Sequence, residues 1–507
     1  MQKAIKIFML PVLVALFSFV CYGQVITTEN LGRYKAWPRY TEILKFYQLT
    51  NFQPAWIGKT GLQLELVDLI KSSSSFGLNE QDYQFDFIQN YSSPGSINLR
   101  DSLEFDIRFT DAALHFFTEL KIGNEAPLFA YSGLTYEPDD GQTVFKLATQ
   151  IKKENICQLA IQLQPQSPEY YAVLNRLNYY LAFTSGKNFR DAEITSTLVS
   201  ASNKQLVLRL FQLGILDSFP ASIDSKILLQ KLKYAQKLFG LPVDGRIHSA
   251  TLKAFNTALY QRVNQLKKTL NVLRWLEKLK QKASVLLLNI PAAYFMVYEN
   301  GSIVLDSKII AGKKTTPTPT LTSTISEVIL YPYWMVPQKI AVNELLPAIK
   351  RNVNFLEAGN FQLLDKEGRV LDPYEINWRE FSKNYFPYII RQSTGCDNAL
   401  GIIKFNFYNP FTVYLHDTPG KTLFSFTKRF FSHGCMRVEK PEQLARFLLG
   451  SNQLAIDTLT AKGCVYQQSP VVVHAEKKLP VIILYSTAWY NKEGEVCFYE
   501  DIYGKGN

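Results

Sequence analysis

The reading of this chain turns on two short runs, Tyr414-Leu-His416-Asp-Thr-Pro419 and Ser432-His433-Gly434-Cys435-Met436-Arg437-Val438. Strand-like sequence from Ile402 to Leu415 leads directly into His416, which places that residue at a strand end. A thiol attacks a carbonyl well only as thiolate, and a free cysteine has a pKa of about 8.5. A nearby histidine can take the proton and later return it to a leaving amine. Cys435 is therefore expected as nucleophile and His416 as its base. Gly434 removes the side chain beside the nucleophile, so the backbone can approach a substrate and neighbouring N–H groups can face a developing oxyanion. Arg437 would share the face of Cys435 on a strand, where its guanidinium could hold a carboxylate through two hydrogen bonds. A lone cysteine is more often a small core residue, and Arg437 alone could be a surface ion pair. The combination Ser-His-Gly-Cys-hydrophobic-Arg behind a strand-borne histidine is what carries the catalytic reading.

Working outward, the six cysteines are Cys21, Cys157, Cys396, Cys435, Cys464 and Cys497. Lys3 and Lys6 precede an apolar run from Ile7 to Val20, and Cys21-Tyr22-Gly23 follows, the layout of a signal peptide over residues 1–23. Bulky Phe19 and Val20 speak against lipid attachment at Cys21. The run is short for a bilayer span, and no second stretch is long enough. The mature protein is thus expected to have no stable membrane span and to lie in the periplasm or cell envelope. Export would leave an odd number of cysteines, so one thiol at least stays unpaired within the chain. With 47% apolar and 20% charged residues the chain should pack into globular domains. Its net charge of +11 is spread without a Lys/Arg block, which suits an anionic surface or polymer, or simply a solvated basic surface, and not a nucleic acid. No CxxC or HExxH spacing occurs, so no structural zinc site is expected, and the chemistry expected of Cys435 and His416 needs no metal or cofactor.

Residues 24–204 read as mainly helical. Thr110-Asp111 could cap a helix carrying Leu114, Phe117 and Leu120 up to Gly123, and Pro168-Glu169 opens another with Leu174, Leu177 and Tyr180. Residues 205–262 form a compact helical segment. Leu228, Leu232, Ala235 and Leu238 make one stripe, the turn Gly240-Leu-Pro-Val-Asp-Gly245 follows, and Leu252, Phe255 and Ala258 mark a second helix. Asp244 lacks the acidic neighbours of a calcium loop. From 283 to 507 the pattern is strand-like, with a hairpin at Asn300-Gly301. The charged, irregular stretch 337–395 reads as an insertion able to cover a site. The fold class is α+β and multidomain.

His416 followed by Ser432-His-Gly-Cys-Met-Arg437 resembles the signature of the L,D-transpeptidase catalytic domain. The runs Tyr331-Pro-Tyr-Trp-Met-Val-Pro337, Asn398-Ala-Leu-Gly-Ile-Ile-Lys-Phe405 and Ala488-Trp-Tyr-Asn-Lys-Glu-Gly494 resemble its large periplasmic subgroup. Gln236 to Thr251 resembles a small peptidoglycan-binding domain. Phe46-Tyr47 with Pro54 and Trp56, and Gly77-Leu78 with Asp82-Tyr83, resemble the scaffold domain of that subgroup. The resemblance implies peptidoglycan stem peptides and glycan as partners. It implies a thioester of Cys435 with the third residue of a tetrapeptide stem, then transfer to the side-chain amine of a second stem. Asp417 or a nearby backbone carbonyl would orient His416, and His433, Gly434 and Ser432 would shape or support the oxyanion pocket. Arg437, Trp334 and Asn398 would bind substrate, and carbapenems would acylate Cys435. Cys396 departs from the family, which has a proline there. It is either a neutral packing change or a second thiol that could form a disulfide with Cys435 and switch it off. Water in place of the amine would make the chain an L,D-carboxypeptidase or a hydrolase of wall-tethered proteins, and a non-catalytic wall-binding protein is the alternative from another class.

Overall fold

The N-terminal helices are held around a buried charge. Phe46, Tyr47, Trp56, Phe105 and Phe109 are almost wholly buried, and Asp106 lies among them. Its carboxylate accepts the backbone N–H groups of Ala55 (2.9 Å), Trp56 (2.7 Å) and Ile57 (3.0 Å), and the Tyr47 hydroxyl (2.8 Å). Burial raises the pKa of Asp106, and these donors oppose the rise. The structure is a computed structural model and describes residues 25–91, 99–137, 141–453, 456–458, 465–466 and 468–506. The expected signal peptide lies outside the described residues. Asp106 belongs to a compact unit of residues up to 70, 81–116 and 141–159. Here one expectation is corrected: the helix Leu99–Ile122 begins well before Thr110-Asp111, so that pair caps nothing. Thr110 meets the Tyr47 hydroxyl (2.9 Å) and the Trp56 indole N–H (3.0 Å), and Asp111 accepts from Arg39 (2.9 Å) and Gln84 (2.7 Å). Both side chains find tertiary partners, which removes the reason to terminate a helix.

The second unit holds 71–80, 117–140 and everything from 160 onward. Its strands are β1 (Tyr131–Ser132), β2 (Val285–Asn289), β3 (Tyr294–Glu299), β4 (Ser302–Gly312), β5 (Leu321–Leu330), β6 (Trp334–Met335), β7 (Phe361–Leu364), β8 (Val370–Leu371), β9 (Ile389–Gln392), β10 (Ile403–Phe407), β11 (Leu415–His416), β12 (Phe430–Ser432), β13 (Met436–Val438), β14 (Val471–Leu484), β15 (Ala488–Tyr490) and β16 (Val496–Phe498). The main sheet runs β5-β10-β11-β13-β4-β3-β2-β14, and β14 returns to pair with β5, so the sheet closes on itself. Closure leaves no free edge along that path. Leu286, Leu288, Phe295, Phe405, Leu415 and Met436 fill its inside. Val285, Leu287, Met296 and Tyr298, on the outside, share a core with Leu273 and Leu276 of the helix Leu259–Lys282. Strand β2 is buried on both faces, which is why it reads as an unbroken apolar run. Asn300 and Gly301 take φ of 51° and 77° at the β3–β4 hairpin, as their turn type requires.

Helix Ser225–Leu238 is capped by Asp224 and buries Leu228, Leu232, Ala235 and Leu238, the stripe legible in the sequence. Gln236 ties the following turn, bonding Gly245 N–H (2.8 Å) and the Arg246 carbonyl (2.9 Å). Asp244 serves the same turn, accepting from Arg246 N–H (2.9 Å) and meeting His248 (2.7 Å). The segment's core is continuous with helices Pro168–Thr184 and Leu259–Lys282 and with β15 and β16. The insertion 337–395 is less irregular than its sequence suggests. Strands β6, β9, β7 and β8 form a small sheet, and Leu346, Ile349, Trp378, Phe381, Phe386 and Ile390 give it a core of its own. The strand just before it pairs with its last strand, Trp334 opposite Gln392.

Candidate active site

Strand register assembles the site. Across β10, β11 and β13, Lys404 lies opposite His416, and His416 opposite Arg437. Side chains at directly paired positions share a face, and the period of two brings Tyr414 and Cys435 onto it as well. The intervening Leu415, Phe405, Met436 and Val438 point into the barrel and are fully buried. The Lys404 ammonium sits 4.2 Å from the centre of the Tyr414 ring, and the Tyr414 and His416 rings meet edge-on at 5.7 Å. Sequence reasoning missed Lys404 and Tyr414. The signal was the strand alternation around His416, but the partner strand that supplies Lys404 could not be read locally.

His416 is 5% exposed, and its Nδ1 lies 2.5 Å from the backbone carbonyl of Asp417. A carbonyl only accepts, so Nδ1 carries the hydrogen and Nε2 is left with its lone pair. Of the two expected orienting groups it is thus the carbonyl that acts. The Asp417 carboxylate instead accepts from Ile402 N–H (3.0 Å) and Lys421 (2.5 Å), against Gly401, where any Cβ would collide with it. Burial, then the Arg437 and Lys404 cations, push the His416 pKa down to about 3. Burial pushes the Cys435 thiol up, opposed by its neighbours Tyr414, Lys404 and Arg437. Both shifts favour a neutral thiol and a neutral imidazole on this face.

The turn before Cys435 is tied from within and from outside. The Ser432 hydroxyl donates to the Cys435 carbonyl (2.5 Å) and accepts from Gly434 N–H (3.2 Å). Thr318 donates to the Gly434 carbonyl (2.8 Å), and Thr316 and the Lys313 backbone N–H bond the Ser432 carbonyl (3.2 and 2.9 Å). Gly434 has φ of 119°, and no atom stands closer than 3.7 Å to where a Cβ would lie, so conformation and not space demands glycine. Its N–H is engaged, whereas the Cys435 N–H has no acceptor among the described residues. His433 points away to Glu344 and Lys313. Trp334, on the strand just before the insertion, lies against the Tyr414 hydroxyl. Asn398 is corrected: it is wholly buried, donates to the carbonyls of Pro332 (3.0 Å) and Ser393 (2.8 Å), and accepts from Leu400 N–H (2.8 Å). It holds the chain together, with both amide hydrogens used and no surface open to a substrate. Cys396 is disulfide-bonded while Cys435 is a free thiol, so the two are not joined.

Residues 283–483 match the family model of the L,D-transpeptidase catalytic domain. The chain carries an L,D-transpeptidase catalytic domain. Residues 41–177 match the model of a scaffold domain. A curated Haemophilus influenzae protein, provisionally named an L,D-transpeptidase, is 38% identical over 217 residues, 43% of this chain and 43% of that one. The match thus spans less than half the length of that relative. Among solved structures, an L,D-transpeptidase from Mycobacterium smegmatis is similar at 16% identity and a TM-score of 0.19, over 39% of this chain and 58% of that one. The L,D-transpeptidase LdtMt1 in complex with imipenem is similar at 15% identity and a TM-score of 0.20, over 40% of this chain and 59% of that one. The L,D-transpeptidase domain holds all five residues of the face around Cys435. A cavity of about 1670 Å³ among the described residues holds none of them. It lies by Tyr260, Tyr294 and Tyr499.

Proposed function

We propose that the chain is an exported cysteine L,D-transpeptidase that joins two peptidoglycan stems through the side chains of their diamino third residues. The observation that carries this is the His416 ring, locked by the Asp417 carbonyl so that its free nitrogen is a lone pair on the face of Cys435. Cys435 sulfur bonds to the carbonyl carbon of the third residue while its proton passes to His416 Nε2. The oxyanion meets the Cys435 N–H, with Lys404 and Arg437 supplying positive charge nearby. The carbon–nitrogen bond to the terminal D-Ala then breaks, and His416 returns the proton to that amine. An amine of a second stem attacks the thioester, gives its proton to His416, and Cys435 leaves as thiol with it.

The two cations resolve a conflict of charge. Added to burial, the larger effect, they keep His416 neutral in the resting site, and they stabilise negative charge once it develops on sulfur and oxygen. The base then gains its proton only when an anion beside it makes imidazolium tolerable. Trp334 and Arg437 would line the donor stem. Mass spectrometry of purified tetrapeptide stems incubated with the protein tests the reading: a dimer lighter by D-Ala is expected. Tripeptide alone would mean that water is the acceptor and the chain is an L,D-carboxypeptidase. No turnover, with Cys435 inert to a carbapenem, would overturn catalysis and leave a wall-binding protein.

A further inference from the structure

His433 follows Ser432 in the turn that carries Cys435, yet its ring belongs to a different contact. Its Nε2 lies 2.8 Å from Oε1 of Glu344 and 3.1 Å from Nζ of Lys313. Glu344 comes from the insertion and Lys313 from the loop after β4 that buttresses the turn. A ring nitrogen carries either one hydrogen or one lone pair. With a hydrogen, Nε2 donates to Glu344 and repels the Lys313 ammonium. With a lone pair, it accepts from Lys313 and faces the carboxylate of Glu344 with like charge. It cannot serve both.

The placement of Glu344 is firm. It sits in a single π turn, Ala341–Leu345, between the helices Gln338–Ile340 and Leu346–Arg351. Ala341, Val342 and Leu345 of that turn are buried in the core of the insertion. Such a turn breaks the α-helical ladder, and insertions of this kind are frequent at functional sites. The His433 side chain is 33% exposed, so solvent can carry its proton between the two ring nitrogens with no net gain or loss.

We propose that Glu344 and Lys313 compete for His433 Nε2, so that this nitrogen fastens the insertion over Cys435 in one state and releases it in the other. Glu344 and Lys313 are positioning residues of opposite sign: one latches and the other unlatches. Through the latch they set how long water is kept from the thioester, a consequence that rests on the transpeptidase reading above.

The test is hydrogen exchange of the segment 338–351 in the full chain, read by mass spectrometry. Glu344→Ala should speed exchange there severalfold, and Glu344→Gln, which still accepts a hydrogen bond, should restore most of the protection. Lys313→Met should slow exchange, because the latch loses its competitor. Opposite signs support the competition. Changes of the same sign, or no slowing with Lys313→Met, overturn it, since a merely structural ion pair would loosen in both. In the same proteins, the ratio of dimer to hydrolysed tripeptide should fall with Glu344→Ala and not with Lys313→Met. Exchange needs no substrate, so it reads the latch even if the transpeptidase reading fails. Acylation of wild-type Cys435 by a carbapenem reads the chemistry even if the latch fails.

Discussion

At the scale of single residues, the site works by withholding charge. His416 is held neutral down to about pH 3 by burial and by two cations, while an unfolded histidine titrates near 6.5. In between, the unfolded chain binds a proton that the folded site refuses. That share of stability is complete above the unfolded value and is lost as pH falls toward the folded one. Alkylation of Cys435 by iodoacetamide should accordingly rise with pH without a step near 6–7. Its midpoint should lie above the ordinary thiol value of about 8.5, since burial raises the thiol. A plateau at neutral pH would show a thiolate–imidazolium pair at rest and overturn the neutral one. Cys435→Ala should abolish turnover, because no other group there can form the thioester. His416→Ala should slow carbapenem acylation by roughly 10²–10⁴-fold, the usual share of a positioned base. Loss confined to His433→Ala would move the base to that residue. Cys435 and His416 stood out in the sequence because each lies in a short run rich in chemistry-bearing residues. Lys404 did not, because only the pairing of β10 with β11 brings it opposite His416.

At the scale of elements, the insertion and the turn before Cys435 show what local sequence conceals. Residues 337–395 read as charged and irregular because their elements are short, yet they close a core around Trp378, Phe381 and Phe386. Periodicity needs longer runs than this to be visible. Strands β6 and β9 lie side by side, so the two ends of the insertion can be joined by a tight link without disturbing the barrel. A chain shortened in that way should still be acylated at Cys435 by a carbapenem. Its ratio of cross-linked dimer to hydrolysed tripeptide should fall, because water would reach the thioester. An unchanged ratio at similar turnover would make the insertion a packing element. Thr316 and Thr318 illustrate the same limit: the sequence shows two threonines among prolines, and only the fold sets them against the carbonyls of the nucleophile turn.

At the scale of the molecule, the described helices include none long and apolar enough to cross a membrane. The segment 205–262 does not stand alone: Phe239 stacks on Phe498 at 5.3 Å, and one core runs through both. Wall binding is therefore best measured in the full chain, with Cys435→Ala to prevent turnover. It should cosediment with purified sacculi, less so with added salt, and less so after Lys226→Glu and Lys233→Glu, both on the exposed face of helix Ser225–Leu238. Binding insensitive to both salt and these changes would remove the segment from substrate recognition. The sequence by itself determined the candidate pair Cys435 and His416, the apolar stripe of Ser225–Leu238, the β3–β4 hairpin and the α+β class, because each is written in short local runs. The tertiary structure alone decided the Lys404–His416–Arg437 row, the Asp106 nest, the burial of Asn398 and the Glu344–His433 contact. Those depend on strand register and on packing between distant segments, where charge and hydrogen bonding answer to neighbours in space and not in sequence.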